Sequence, residues 1–400
     1  MTTMNETDTS DPAALRAAMV SELLEDPITS EAVAAAFSVV PRHLFAPGEA
    51  LEVVYDSNTP LVTKTDPDGT ALSSVSAAHI QAVMLEQAQI EPGMRVLEIG
   101  SGGYNAALIA ELVGPTGSVT SVDIDPEIVA RAHTCLQTAG YEQVRAVRAD
   151  AEHGVPECAP YDRIIVTVGA WDIPPAWIDQ LTGRGRIVVP LRFAGLSRCI
   201  AFDRSGPGLV SHSYRLGGFV PMQGAGTYSE SLVPITAEAT LRLDGPHPEF
   251  DIPALREAMY SPSIERWSGA AFDLPDELEL FVVTSAPSVP FLHAGQRLVD
   301  QGVFTPAVTY GTAVLVEGGS FAYRTKRENE KTDGWESGVY AYGPRAEAVA
   351  DRYLTLLRRW AADHRRRDAA RIEYLPTSTG APPNGWYARK RHGVVAVTWP

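Results

Sequence analysis

Two hydrophobic periods alternate along the first half of this chain. Arg95 to Ile99 is a short apolar run of the kind that fills a buried strand, and Ala106 to Val113 carries apolar residues at helical spacing. Gly114-Pro115 stops that helix, and Ser118 to Val122 is a second apolar run. The alternation continues through strands predicted at Gln143–Arg148, Arg163–Val168 and Gly185–Pro190, and helices over Pro126–Ala139 and Pro175–Leu181. Strand-helix repetition of this kind predicts an α/β fold with a doubly wound parallel sheet from Arg95 to about Asp203. Upstream, Ala13–Leu24 and Ser30–Phe37 read as short helices separated by Pro27. A Pro- and polar-rich stretch follows, and a helix opens near Ser76 with Ile80, Val83, Met84 and Ala88 on its buried face.

Beyond residue 205 the pattern changes. Ala237–Leu243 alternates like a half-exposed strand, and Glu277–Thr284 is strongly apolar. Ala307–Val316, Ser320–Thr325 and Gly338–Ala341 are further strand candidates, and Arg345 to Arg371 reads as one long amphipathic helix. Strands first and a helix last predict a smaller α+β domain. The expected organisation is a disordered tail over 1–12, a first domain over 13–224 and a second over 225–400.

Composition narrows the picture. The chain has 400 residues, 45% hydrophobic, with 33 Gly and 30 Pro, which fits two globular domains rich in turns. Its net charge of −16 argues against nonspecific binding to nucleic acid or to an anionic membrane. Three cysteines without a Cys-x-x-Cys pair support neither a zinc site nor a disulfide framework, so no metal is expected and a reducing cytoplasm is the expected setting. The polar, acidic amino terminus has no signal-peptide pattern, and no apolar run approaches the roughly 20 residues of a membrane span.

The chemistry concentrates in VLEIGSGGYN. Glu98 stands near the carboxyl end of the first strand. Gly100 and Gly102 flank Ser101 and let the backbone turn sharply against a ligand. Asp123 ends the next strand, 23 positions after Gly100, where an acid can accept both hydroxyls of a ribose. A dinucleotide fingerprint needs a third glycine at position 105, and this chain has Asn105. Acid, Gly-x-Gly and ribose acid together resemble the S-adenosyl-L-methionine pattern of class I, Rossmann-like methyltransferases. Ile124 goes with Asp123 in that site.

Several further stretches resemble one family, the protein-L-isoaspartate O-methyltransferases, across about residues 14–224. They are VPRHLFAP (40–47), Tyr55-Asp56 with Pro60-Leu61, SVSAAH (74–79), YDRIIVT (161–167), GRIVVP (185–190) and GFVPM (218–222). Two departures stand out: Ala78 replaces the family's usual proline, and the glycine turn is one residue shorter than the family's. The region 225–400 is a third, since ordinary repair enzymes lack it. With LEIGSGGYN and GFVPMQG, it resembles the methyltransferases of FxLD-type lanthipeptide systems. That resemblance implies a modified precursor peptide as substrate, with one aspartate methyl-esterified and passing through a succinimide to isoaspartate. The alternative it leaves open is repair of isoaspartate in damaged proteins. Residues 225–400 would then be a peptide-recognition domain, and the enzyme a monomer or weak homo-oligomer.

The family pattern implies roles residue by residue. Ser76 orients the substrate carboxylate, and its competing reading is an ordinary helix N-cap. Ser74 covers the methyl donor. Val75, His79, Phe219, Val220 and Pro221 fall on the substrate side, with core packing as the alternative for His79. Asp150, followed by Ala151, meets the adenine amine or else caps a loop. Tyr104 lines the methionine end or simply packs. Thr167 borders the site at the end of its strand. A carboxylate titrates near ~4 and is already ionised at neutral pH, so no strong general base is expected. In the second domain, arginines between Arg352 and Arg371 could recruit an acidic leader peptide, or form a solvated helix face. Trp267, Trp335, Trp360 and Trp386 could form a cleft or pack in the core.

Overall fold

The computed structural model describes residues 11–244, 249–273, 275–287, 289–307, 311–332, 334–377 and 385–400. Most of the tail predicted to be disordered therefore lies outside the described residues. The chain divides into two compact units. The first is Met1–Leu191 with Arg198–Tyr228; the second is Arg192–Ser197 with Ser229–Pro400.

The first unit opens with α1 (Pro12–Glu25), α2 (Glu31–Val39) and α3 (Leu51–Val54). Asp11 caps α1 by accepting the Ala13 N–H, with Pro12 at the first helical position, where its missing N–H costs nothing. A hairpin of β1 (Leu61–Thr65) and β2 (Ala71–Val75) follows. Asp66 closes its turn by accepting the N–H groups of Asp68 and Thr70. Then come α4 (Ala78–Ala88), β3 (Arg95–Ile99), α5 (Tyr104–Val113), β4 (Ser118–Asp123), α6 (Pro126–Thr138) and β5 (Arg145–Arg148). The unit continues with β6 (Tyr161–Val166), α7 (Pro175–Asp179), β7 (Leu181–Phe193), β8 (Leu196–Ser205) and β9 (Gly208–Leu216).

Its strands lie in the order β9-β8-β7-β6-β3-β4-β5. β3 pairs in parallel with both β4 and β6, while β8 and β9 pair antiparallel. The chain leaves β3 towards β4 on one side and returns to β6 on the other, which opens a crevice at the carboxyl ends of these strands. This is the doubly wound α/β architecture expected from the sequence. The sheet extends past Asp203 because β9 pairs antiparallel with β8.

The second unit holds β10 (Ser231–Thr236), β11 (Ala239–Leu243), α8 (Ile252–Met259), β12 (Ile264–Ala271) and α9 (Pro275–Ser285). It continues with β13 (Phe291–Ala294), α10 (Gln296–Asp300), β14 (Thr312–Glu317), β15 (Ser320–Asn329), β16 (Gly334–Tyr342) and α11 (Ala346–Arg359). β17 (Arg371–Pro376), β18 (Trp386–Arg389) and β19 (Gly393–Thr398) complete it. Its sheet runs β10-β11-β13-β14-β15-β16-β12, and β19 pairs antiparallel with both β17 and β18.

Here the sequence misled in two places. The apolar run 277–284 is a helix, not a strand. Leu278, Leu280, Phe281, Val282 and Val283 are all buried, and burial on every side erases the period that separates helix from strand. The helix expected to reach Arg371 stops at Arg359 and closes with a π turn over Trp360–His364. Arg366 at φ 55° then breaks the helical path. The unit therefore ends in strands.

The arginines of that segment are largely engaged within the unit. Arg352 pairs with Glu317, Arg365 with Asp273 and Arg371 with Glu373, and Arg358 donates to the Ser268 carbonyl. The four tryptophans do not form one cleft. Trp360 packs with Phe281 and Trp399, Trp386 lies against Phe193, Arg327 stacks on Trp267 and Lys326 lies over Trp335.

Candidate functional site

β3 delivers the chain to the glycine turn. Gly100 sits at φ 96°, and a Cβ there would come within 2.6 Å of Thr167 Oγ1. Glycine thus solves both the conformation and the close approach. Thr167 holds the turn from β6, its hydroxyl 2.8 Å from the Gly100 carbonyl and 3.0 Å from that of Ile99. Gly102 lies against the backbone of β2, its Cβ direction 3.5 Å from the Ser74 carbonyl.

A cavity opens beside this turn. Gly100, Asp123, Ile124 and Ala151 line it, together with Lys64, Ser73, Asp125 and Met222. Asp123 accepts the Ser101 N–H at 3.0 Å and the Asp125 N–H at 2.9 Å. Burial pushes its carboxyl up, and these N–H groups partly offset the shift. The half-buried acid at the cavity wall and the glycine cradle fit a nucleoside with a vicinal diol.

Six residues expected at the cofactor are not in the wall of this cavity: Ser101, Gly102 and Thr167 belong to the turn and its support, and Glu98, Tyr104 and Asp150 make other contacts. Glu98 is fully buried beneath the turn, where its carboxylate accepts from Asn105 Nδ2 at 2.9 Å and Ser121 Oγ at 2.5 Å. Ser121 also reaches Ser101 Oγ at 2.9 Å. Glu98 thus braces the turn, and burial pushes it up to about 7. Tyr104 is correctly placed at the start of α5, but its ring is in the core between Phe37 and Phe45. Asp150 caps the turn over Ala151–His153 by accepting the Glu152 N–H, and its second oxygen accepts the Ala225 N–H at 2.9 Å. It sits beside the cavity wall rather than in it.

A second, more open cavity carries Ser74, Ser76, His79, Phe219, Val220 and Pro221. Val75 is the exception: its side chain is buried in the core. β2 contributes to both cavities, through Leu72 and Ser73 on the first and Ala71 and Ser74 on the second. Pro221 lines both. It belongs to a strap pinned by Gly169, whose N–H donates to the Val220 carbonyl at 2.8 Å and whose carbonyl accepts the Met222 N–H at 3.0 Å.

The geometry bears on the capping reading of Ser76. The N-cap of α4 is Ala77, without a side-chain hydrogen bond, so Ser76 is not spent on capping. Among the described residues, the side chains of Ser74, Ser76 and His79 carry no hydrogen bond. One helix-start N–H is unavailable to a ligand, since His79 donates its own to the Ser57 carbonyl.

Sequence reasoning missed the hairpin and what it carries. Asp66-Pro67-Asp68-Gly69 between LVTKT and ALSSV was the available signal, a turn tetrad between two strand-like runs. Lys64 sits at an irregularity in the β1–β2 register and pairs with Asp125 at 2.6 Å and Glu127 at 2.7 Å. Those contacts tie the hairpin to the start of α6. Among the described residues no cluster of three or more His, Cys, Asp or Glu could hold a metal. No described helix is long and apolar enough to cross a membrane.

Comparison with known proteins gives a consistent answer. A family model described as protein-L-isoaspartate(D-aspartate) O-methyltransferase matches residues 14–226. The protein-L-isoaspartate O-methyltransferase of Methanococcoides burtonii is 43% identical over 164 residues, covering 41% of this chain and 77% of that protein. The enzyme of the same name from Methanopyrus kandleri is 37% identical over 207 residues, or 51% of this chain and 88% of the relative. A solved structure described as a protein-L-isoaspartate O-methyltransferase superposes with a TM-score of 0.50 at 24% identity, covering 90% of this chain and 96% of that one. That fold likeness reaches well beyond residue 226. At least one solved structure of that description therefore shares fold beyond the matched family region.

Proposed function

This chain belongs to the protein-L-isoaspartate(D-aspartate) O-methyltransferase family, and from that premise we propose that it methylates a side-chain carboxylate of an aspartyl or isoaspartyl residue in a peptide. S-adenosyl-L-methionine is the methyl donor, and when bound it supplies an electrophilic methyl group on a sulfonium. The observation that carries the reading is the pair of cavities meeting at Pro221, with the uncommitted hydroxyls of Ser74 and Ser76 on the second.

The residues divide the work as follows. Gly100 and Gly102 admit the ligand close to the backbone, and Asp123 accepts from the ribose hydroxyls. Ser76 donates a hydrogen bond to the substrate carboxylate and fixes its orientation. The strap and β2 keep water from the line of transfer. An ionised carboxylate needs no base, so the rate comes from alignment and water exclusion. Among the described residues, the wall of the second cavity accordingly has no Lys or Arg. Methyl transfer neutralises carboxylate and sulfonium together. A cation touching the carboxylate would stabilise the ground state more than the transition state.

Isoaspartate in damaged proteins is the substrate class of the relatives' name. A specific observation keeps a second substrate in play: LEIGSGGYN and GFVPMQG resemble the methyltransferases of FxLD-type lanthipeptide systems, which esterify an aspartate of a modified precursor peptide. In that case residues 225–400 recognise the peptide. The extra domain alone does not favour this reading, because the likeness covering 90% of the chain includes it. Labelled S-adenosyl-L-methionine with matched Asp and isoAsp peptides tests both. A base-labile methyl ester on at least one supports the activity, preference for isoAsp selects repair, and labelling of neither overturns the proposal.

A further inference from the structure

Arg42 is fully buried, and among the described residues it has no carboxylate partner. A buried charge without a counter-ion is costly to retain, so its contacts carry information. Nε donates to the Val54 carbonyl at 2.8 Å, Nη1 to Gln81 Oε1 at 3.0 Å and Nη2 to the Ser76 carbonyl at 2.8 Å. The guanidinium lies 4.9 Å from the centre of the Tyr104 ring, within cation–π range.

These four contacts span the site. Ser76 and Gln81 bracket the start of α4 and belong to the substrate wall and its support. Tyr104 is the first residue of α5, directly after the glycine turn. Val54 ends α3, outside both cavities. We infer that Arg42 is a positioning residue that locks the Ser76 loop to the helix carrying the cofactor turn, holding hydroxyl and methyl donor in register. The planar fork suits this task because it addresses three acceptors in fixed directions while its face stacks on an aromatic ring. Lysine can satisfy only part of that set. Arg42 reaches the carbonyl of Ser76 and not the cavity, so it directs the loop without pairing with the substrate.

This inference rests on the proposed role of Ser76, and its test separates the two. R42K, R42M and Q81M are compared with the wild type for kcat and KM on the better of the Asp and isoAsp peptides. Affinity for S-adenosylhomocysteine, thermal unfolding and amide exchange at residues 76–79 are read on the same samples. Misplacement of about 1 Å costs up to ~100-fold in rate, so R42M is expected to lose about that in kcat, R42K about tenfold and Q81M less. Cofactor affinity is expected to stay within about threefold, and exchange at 76–79 to rise more than elsewhere. If R42M does not fold, R42K and Q81M decide the question. Unchanged kcat in folded R42K, or exchange that rises uniformly over the chain, overturns the inference. A wild type that esterifies neither peptide sinks the functional reading instead, and the exchange pattern still decides whether Arg42 holds the loop.

Discussion

The two cavities of the first unit are built on opposite principles. On the cofactor side the polar groups are already bonded to one another: Glu98 to Asn105 and Ser121, Ser101 and Asp125 to Asp123, Ala225 to Asp150, and Lys64 to Asp125. On the substrate side Ser74, Ser76 and His79 keep their side chains free in an open space. A ligand of constant structure rewards a prebuilt frame, since little reorganises when it binds. A site that takes a carboxylate from varied peptide contexts needs donors that are not yet committed. Altering the substrate side should therefore cost rate, and altering the cofactor side should cost affinity.

Removing the hydroxyl at Ser76 is the sharpest cut. Ser76→Ala is expected to lower kcat by about 100-fold, the scale of losing one oriented donor, with S-adenosylhomocysteine affinity unchanged by calorimetry. Equal loss of both would erase the contrast. Asp123→Asn should do the reverse, weakening cofactor affinity by about tenfold or more, as expected when a charge-assisted hydrogen bond is lost at ~1.5–3 kcal/mol. Lys64→Met should act more mildly. Its pairs with Asp125 and Glu127 are partly exposed, so release of cofactor in stopped flow is expected to speed up by only ~2–3-fold and to lose its salt dependence.

The smallest effect concerns the frame itself. Burial holds Glu98 at about 7 in the folded state against an ordinary value of 4.5. Between those values the native protein keeps a proton that the unfolded chain has released, so stability falls as pH rises through that window. Glu98→Gln carries no such proton. Its unfolding temperature should fall less than the wild type's between pH 5 and 8, and parallel profiles would show that Glu98 does not titrate there.

The same contrast explains what the sequence made legible. The cofactor turn was readable because glycines and a strand-end acid at fixed spacing have a mechanical cause, and Gly100 and Asp123 do line the cavity. Glu98 braces the turn and Tyr104 took the packing alternative, because spacing puts a residue near a site without saying whether it faces the ligand or the core. Ser74 and Ser76 were found through the family resemblance, while Val75 between them turned inward, as strand alternation requires. Arg42 and Lys64 escaped notice because their roles depend on contacts 34 and 61 positions away in the chain. No local pattern encodes those. In the second unit, the buried helix α9 concealed its period by being apolar on all sides.

The central claim is that the two cavities are halves of one methyl-transfer site divided by β2 and the Pro221 strap. A crystal structure with S-adenosylhomocysteine tests it most directly. The account predicts the ribose at Asp123, the base beside Ala151, and the sulfur at the partition facing Ser76. A nucleoside bound elsewhere, or a sulfur turned away from the second cavity, would contradict it.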